Sequence, residues 1–286
     1  MIISDTIAQT RRFIAAARAA GQTIGCVPTM GSLHQGHLSL IRRCRDECDF
    51  VVVTLFVNPT QFAPDEDLEN YPRPFEADTK MCRDIGVDLI FAPDDRQMYP
   101  EENLTWVNVE KISGTLCGAT RPHHFRGVCT VVAKLFHIVT PDIAYFGQKD
   151  AQQLTIIRRM VADLNFPVEI RSCPTDRDKD GLALSSRNQY LTAQERPQAA
   201  CLYHALNLAR DLIASGAQNP AAIIAALTKI IEKSSLARID YISIVDNQLL
   251  QPVEQIDRPV LVALAVHFGS ARLIDNIVVE PPASKR

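Results

Sequence analysis

The sequence contains no long hydrophobic run. The apolar stretch of residues 50–57 has only eight positions and is interrupted by Thr54, whereas a helix that crosses a membrane needs about 20 apolar residues. The N-terminal segment carries Asp5, Arg11 and Arg12 without the apolar core of a secretory signal. Transit peptides also begin with Arg-bearing segments, but the first helix of a domain is the favoured interpretation. We therefore expect a soluble, cytoplasmic protein without a membrane partner.

The sequence also lacks cysteine spacings typical of metal sites, and it has no excess of positive charge. The eight cysteines are scattered and form no C-x-x-C pair, which argues against a zinc ribbon. Lys and Arg number 30 against 33 Asp and Glu, so the chain lacks the basic excess of proteins that coat nucleic acids. We expect reduced thiols and no nucleic-acid partner.

The order of hydrophobic patterns predicts the fold class. Short apolar runs, typical of strands buried on both faces, alternate with segments of helical periodicity. The predicted strands are residues 23–27, 50–57, 87–91, 143–146 and 168–172, and the predicted helices are residues 5–20, 37–48, 75–85, 128–139 and 151–164. This alternation indicates an α/β protein with a Rossmann-like, doubly wound parallel sheet.

The composition changes near residue 175, which predicts a second domain. Ala- and Leu-rich helices are expected over residues 194–214 and 220–234, with strands over 241–245 and 260–267. We expect a Rossmann-like domain over residues 1–175 and a smaller C-terminal α+β domain over 176–286, with a loose tail from residue 281. A length of 286 residues suits two domains at about 150 residues each.

The first candidate site is the segment from Pro28 to Leu38, between the first predicted strand and a helix. A helix N-terminus with free backbone N–H groups attracts phosphate, and Gly36 lets a nucleotide approach closely. Two imidazoles add donors. A histidine where a Walker loop has lysine excludes that motif, and the spacing excludes H-E-x-x-H. The pair in this context favours a functional site over two structural histidines.

Three more candidate sites also follow predicted strands or the domain boundary. The amides of Asn58 and Gln61 suit hydroxyl and carboxylate groups, although a capped turn explains them equally well. Lys149 can contact phosphate oxygens, while Asp150 caps a helix or binds a ribose hydroxyl. The hydroxyls and guanidinium of residues 185–187 fit a polyphosphate; the alternative is an ordinary surface loop.

Taken together, these segments resemble the pantoate–β-alanine ligase family over nearly the whole chain. H-x-G-H alone indicates only the wider nucleotidyl-transferase superfamily, which class I aminoacyl-tRNA synthetases share, but six segments in one order are far more specific. The matching segments are Pro28-Thr29-Met30-Gly31 with His34-x-Gly36-His37, Phe56-Val57-Asn58-Pro59-x-Gln61-Phe62, Tyr71-Pro72-Arg73, Arg121-Pro122-x-His124-Phe125 with Gly127-Val128, Phe146-Gly147-x-Lys149-Asp150-x-Gln152-Gln153, and Asp180-Gly181-Leu182-Ala183 with Ser185-Ser186-Arg187-Asn188.

The resemblance implies an ATP-dependent ligase of coenzyme A biosynthesis. Its reaction would condense (R)-pantoate with β-alanine to pantothenate through a pantoyl-adenylate intermediate, releasing AMP and pyrophosphate. ATP is then a substrate, and Mg²⁺ is held by the ATP phosphates rather than by protein ligands. The resemblance also implies a homodimer and a C-terminal domain that closes over the first.

The resemblance further implies a role for each matching residue. The catalytic residues would be His34, His37 and Lys149. The ATP-binding residues would be Met30, Gly31, Ser32, Leu33, His34, Gln35, Gly36, His37, Gly147, Gln148, Lys149, Asp150, Asp176, Leu184, Ser185, Ser186 and Arg187. Pantoate would contact Met30, Asn58, Gln61 and Gln153, and Gln61 and Tyr71 would form a β-alanine pocket. The chain departs from the family pattern at His123 (usually Gly), Cys129, Gln148 (usually Glu), Ala151 (usually aromatic) and Asp176 (usually apolar).

Other functions remain to be weighed against this one. A transferase that moves AMP onto a phosphate acceptor would need more Arg or Lys in a pocket that here carries amides. A nucleotide sensor without chemistry would be expected to lose a motif histidine or Lys149. A metallohydrolase built on His34, His37, His123 and His124 would lack nearby Asp and Glu ligands.

Overall fold

The structure, a computed structural model, describes residues 1–64, 66 and 68–282. The last four residues of the tail that we expect to be loose lie outside them. The strands are β1 (Ile2–Ser4), β2 (Ile24–Thr29), β3 (Phe50–Leu55), β4 (Leu89–Phe91), β5 (Ile143–Gly147), β6 (Glu169–Cys173), β7 (Ala237–Asp246), β8 (Val260–Phe268) and β9 (Ala271–Val279). The α-helices are α1 (Ile7–Ala19), α2 (Gln35–Glu47), α3 (Phe75–Ile85), α4 (Asp95–Met98), α5 (Cys117–Thr120), α6 (His124–Val139), α7 (Ala151–Asp163), α8 (Glu195–Gln198), α9 (Cys201–Ala214) and α10 (Pro220–Ile231).

The strands form two sheets, and the predicted fold class is confirmed. Six parallel strands take the order β1-β4-β3-β2-β5-β6, and three antiparallel strands take the order β7-β8-β9. From β2 the chain adds β3 and β4 on one side and then returns to place β5 on the other. The strand order therefore reverses between β2 and β5, and the carboxyl ends of these strands border the crevice where doubly wound folds bind ligands.

Burial of the central strands on both faces explains why their sequences are almost entirely apolar. Val51, Val52 and Val53 of β3 are fully buried, as expected for a parallel sheet covered on both faces. A side chain on Gly25 of β2 would collide with the sulfurs of Cys44 and Cys48. All eight cysteines are buried and free, so they serve as small core residues. No helix in the described part of the chain is long and apolar enough to span a membrane.

The prediction was wrong about where β2 ends and missed two strands. β2 continues through Pro28 to Thr29, and its pairing with β3 extends over this whole length. Its pairing with β5 covers only Gly25 and Cys26. On the β5 side Pro28 therefore needs no N–H to donate. The missed strands are β1, which has only three residues, and β9, whose alternation is interrupted by the buried Asp275.

The described chain divides into two compact units. The first comprises residues 1–113, 121–148 and 153–174, and the second comprises residues 114–120, 149–152 and 175 onward. The core of the second unit packs α9 and α10 against the antiparallel sheet, with Leu206, Leu227 and Leu264 fully buried. The division into domains of residues 1–175 and 176–286 stays a prediction.

Candidate functional site

The segment with the two histidines lies at the predicted position, where the strand order reverses. Residues 30–34 connect β2 to α2, and Gly147 ends the neighbouring β5. Both belong to the first unit. A side chain on Gly147 would meet no described atom within 4 Å. Packing of the protein therefore does not require glycine there, and the open space leaves room for a ligand against the backbone.

Backbone N–H groups donate to Nδ1 of both imidazoles. His34 is the N-cap of α2, and its Nδ1 accepts a hydrogen bond from the N–H of Gly36 at 3.2 Å. The Nδ1 of His37 accepts from the N–H of His34 at 3.4 Å. The two rings lie 4.1 Å apart, centre to centre. A neutral imidazole that accepts through Nδ1 carries its proton on Nε2, so these two hydrogen bonds favour the Nε2–H tautomer of each ring.

The loop before these histidines is held by side chains. The N–H of Gly31 donates to Oγ1 of Thr29 at 3.1 Å. The N–H groups of Ser32 and Leu33 donate to the two carboxylate oxygens of Asp78, each at 2.8 Å. These three N–H groups, which lie before the start of α2, therefore already donate within the protein. Phosphate binding at the N-terminus of α2 stays a prediction.

Three of the four residues predicted to bind pantoate contact one another. The amide Nδ2 of Asn58 donates to Oε1 of Gln61 at 3.2 Å, and Nε2 of Gln61 lies 2.8 Å from the sulfur of Met30. Asn58 is buried, with 1% of its surface exposed. Its Nδ2 also donates to the carbonyl of Gly127 at 3.2 Å, so its amide is engaged by the protein and orients that of Gln61.

The oxygen of the Asn58 amide is equally well held. Its Oδ1 accepts from the hydroxyl of Tyr99 at 2.9 Å and from that of Thr60 at 3.0 Å. A side chain on Gly127 would collide with the carbonyl of Thr60, so only glycine lets α6 approach this turn so closely. Tyr99 carries no sequence signal for this role, because its link to Asn58 spans 41 residues.

A second polar network contacts the backbone carbonyl of Gln61. The guanidinium of Arg121 pairs with both carboxylate oxygens of Glu66 at 2.5 Å and lies 3.1 Å from Nε2 of His124. Nδ1 of His124 lies 2.8 Å from the carbonyl oxygen of Gln61. Burial raises the pKa of Glu66, but the bonds from Arg121 outweigh this and hold the pKa below its ordinary value. Arg121 and His124 matched a family motif, yet the sequence did not indicate this pairing.

A cavity of about 580 Å³ adjoins the loop after β2 at the carboxyl ends of the strands. Its walls include both apolar and charged side chains. Among the lining residues are Met30, Phe56, Arg73, Asp78 and Asp94. Met30 and Gly31, the first two residues of the loop after β2, therefore border open space.

The other predicted residues of the first unit occupy varied environments. Tyr71 is buried and packs edge-on against Phe62, with 5.8 Å between ring centres. Gln148 begins the 3₁₀ turn after β5, and Gln153 lies in the first turn of α7. Because β5 is next to β2, topology puts these turns at the same sheet edge as the histidines. A ligand role for each stays a prediction.

The remaining predicted ATP-binding residues group with the second unit. Nζ of Lys149 lies 3.7 Å from the Asp150 carboxylate, and the carbonyl of Lys149 accepts from Asn276 at 2.8 Å. The backbone of Asp176 accepts from the N–H of Leu184 at 2.9 Å. The hydroxyl of Ser185 caps the turn that contains Ser186 by accepting from the N–H of Arg187 at 3.3 Å.

Unsatisfied polar atoms accumulate in this part of the second unit. Oγ1 of Thr175, Oδ2 of Asp176 and Oδ1 of Asn188 are buried and have no hydrogen-bond partner among the described residues. Buried polar atoms normally find partners, and each exception calls for an explanation such as an absent ligand. All three lie in or beside segments for which the family resemblance predicts contact with ATP.

Metal ligands do not cluster in the described residues. Within residues 1–64, 66 and 68–282, no group of three or more His, Cys, Asp or Glu side chains is arranged to hold a metal ion. His34 and His37 use their Nδ1 atoms as acceptors from backbone N–H groups. Among those described residues, the metallohydrolase hypothesis finds no group of three or more such ligands.

The fold and the position of the histidine segment place the chain among the Rossmann-like α/β proteins. Residues 2–278 match the family model of pantoate–β-alanine ligase. Pantothenate synthetase from Thermotoga petrophila is 53% identical over 279 residues, 98% of this chain and 100% of that protein. Its counterpart from Moorella thermoacetica is 54% identical, covering 98% and 99%.

Solved structures agree with these relatives. Pantothenate synthetase from Thermus thermophilus superimposes with a TM-score of 0.92 at 45% identity, covering 98% of this chain and 100% of the other. Pantoate–β-alanine ligase from Francisella tularensis, solved in complex with β-γ ATP and β-alanine, gives 0.82 at 36% identity and 97% coverage of both chains. The chain belongs to the pantoate–β-alanine ligase family, as its motifs suggested. It is therefore an enzyme that forms pantothenate from pantoate and β-alanine.

Proposed function

We propose that this enzyme activates (R)-pantoate with ATP before the amine attacks. The pantoate carboxylate attacks the α-phosphorus of ATP, the bond to the β-phosphate oxygen breaks, and pyrophosphate leaves. The amine of β-alanine then attacks the acyl carbon of pantoyl adenylate. AMP leaves with the bonding electrons, the amine loses a proton, and pantothenate is released.

The observation that carries the proposal is the pair of imidazoles whose Nδ1 atoms are held by backbone N–H groups. Negative charge grows on the α-phosphate oxygens as the carboxylate attacks, and donors already in place stabilise it without reorganisation. His34 and His37 each offer Nε2–H, since a backbone N–H occupies each Nδ1. Lys149 adds a positive charge in this assignment.

The binding roles follow from the chemistry of each group. The oriented amide of Gln61, with Met30 and Gln153, suits a substrate that carries two hydroxyls and a carboxylate. Asn58 supports that amide, and Gln61 with Tyr71 borders the β-alanine pocket. We assign the ribose to Asp150, the adenine to the region of Asp176 and Leu184, and the leaving pyrophosphate to Ser185, Ser186 and Arg187.

In this proposal, Mg²⁺ binds to the triphosphate of ATP. The described side chains form no group of three or more potential ligands, and oxygens of the phosphates are the partners that Mg²⁺ prefers in such enzymes. Bound there, it would neutralise phosphate charge. We further propose a cytoplasmic homodimer that has only small-molecule substrates.

The test is ATP–pyrophosphate exchange without β-alanine. We expect labelled pyrophosphate to enter ATP only when (R)-pantoate is present, because exchange requires a reversible acyl-adenylate step. AMP and pantothenate should then appear together when β-alanine is added. A folded enzyme that makes pantothenate while releasing ADP and phosphate would overturn the adenylate proposal.

A further inference from the structure

The loop between β2 and α2 has an unusual backbone. Gly31 has φ of 86° and the adjacent Ser32 has φ of 52°. Two successive left-handed residues turn the chain sharply, and a serine adopts this conformation only when its surroundings enforce it. Something outside the loop must therefore select this conformation.

Asp78 supplies that constraint. It lies in the first turn of α3, is buried with 2% of its surface exposed, and is 45 or 46 residues away from its two partners along the chain. Its two carboxylate oxygens accept from successive N–H groups, those of Ser32 and Leu33. A carboxylate that accepts two parallel bonds fixes the orientation of a peptide segment more firmly than one acceptor does.

Gly31, which precedes Ser32, also packs closely against Asp78. A side chain on Gly31 would lie 3.0 Å from Oδ2 of Asp78, so the loop packs directly on the carboxylate. Burial raises the pKa of Asp78 above its ordinary value, although the two N–H donors oppose the shift. The protein keeps this carboxyl in an unfavourable environment where its partners are the loop amides.

We infer that Asp78 is a positioning residue for the reaction, because it sets the loop that places Met30 on one side and His34 and His37 on the other. Its kinetic consequence rests on the proposed function, whereas its effect on the loop does not. The observed contacts of Asp78 are with the backbone of this loop, and Asp78 also lines the cavity beside Met30. Displacement of reacting groups by about 1 Å can lower rates by about 10²-fold.

The central variant is Asp78→Asn, which keeps the size of the side chain but puts an NH₂ group against one of the loop N–H groups. Asp84→Asn is its matched control, since it removes the same charge from an exposed position of the same helix, where Asp84 pairs with Lys80. Steady-state kinetics of pantothenate formation and deuterium exchange of peptides covering residues 30–38 are measured for both, at a temperature where each is folded.

For Asp78→Asn we expect at least about 10-fold faster deuterium exchange in the loop and a kcat/KM for pantoate lower by about 10–100-fold, with an increase in KM. A merely structural role would reduce the amount of active enzyme and leave KM unchanged. Asp84→Asn should match the wild type in both assays. A folded Asp78→Asn with wild-type KM, kcat and exchange would overturn the inference.

Wild-type protein provides an independent test should Asp78→Asn not fold. The amides of Ser32 and Leu33 must be protected without substrates, and unprotected amides there contradict the inference. Pantoate-dependent ATP–pyrophosphate exchange of the wild type separates the two proposals. Its absence refutes adenylation, while the deuterium-exchange result still decides whether Asp78 holds the loop.

Discussion

Asn58 holds Gln61 by a hydrogen bond from Nδ2 to Oε1 at 3.2 Å, and this bond decides which end of the Gln61 amide is a donor. An amide can rotate by half a turn at little cost in an open pocket. Here Asn58 cannot rotate, because Tyr99 and Thr60 donate to its oxygen and its own nitrogen donates to Gly127. A buried residue thus determines which atom of the Gln61 amide is the donor.

Removal of the Gln61 amide should mainly weaken pantoate binding. For Gln61→Ala we expect an increase in the KM for pantoate of about 2- to 12-fold for each lost hydrogen bond, since one such bond contributes roughly 0.5–1.5 kcal/mol. Initial rates at varied pantoate measure it. Gln248→Ala, at an exposed position, should behave as wild type. An unchanged KM for pantoate in Gln61→Ala would contradict the pocket assignment.

His37→Ala should slow adenylation by about 10²–10³-fold, the usual cost of removing one preorganised charge-stabilising donor. The fold should persist, with a modest loss from the missing interaction at the start of α2. Single-turnover formation of adenylate checks the rate, and circular dichroism checks the fold. His204→Ala, on an exposed face of α9, is the control. Adenylation at the wild-type rate would remove His37 from the mechanism.

Gly147→Ala separates folding from ligand binding. Because nothing described lies within 4 Å of the new methyl group, we expect unchanged stability or a gain of about 0.4–1 kcal/mol from the stiffer unfolded chain. The KM for ATP should rise several-fold if the nucleotide lies against this backbone. Thermal unfolding and ATP titration give the two results, and an unchanged KM would show that no ligand group approaches there.

His123 occupies a backbone conformation that favours glycine. Its φ is 72° at the start of α6, and the side chain is exposed. The left-handed conformation costs a non-glycine residue roughly 1–2 kcal/mol, offset in part by the entropy that glycine loses on folding. His123→Gly should therefore stabilise the protein by about 0.5–1 kcal/mol in chemical denaturation. Destabilisation would mean that the imidazole makes a compensating contact.

The ion pair of Glu66 with Arg121 should make stability depend on pH. The pKa of Glu66 is lowered in the folded protein, so the pair stabilises the protein above the unfolded-state pKa, near 4.3. This contribution disappears as the pH falls through the lower folded-state value. The free energy of unfolding of wild type minus that of Glu66→Gln should be constant near neutral pH and shrink below about pH 4. A pH-independent difference would contradict the lowered pKa.

Local sequence was enough to predict the parallel sheet, the helix after β2 and the H-x-G-H segment, because apolar runs, helical spacing and turn residues are encoded within a few positions of each other. The same patterns could not reveal that Asp78 binds Ser32 and Leu33 or that Tyr99 binds Asn58. These partners are more than 40 residues apart, and their side chains meet only when the strands take their order in the sheet. Motifs therefore indicate the chemistry, whereas tertiary packing decides which N–H groups are already engaged, which amide atoms act as donors and which glycine faces open space.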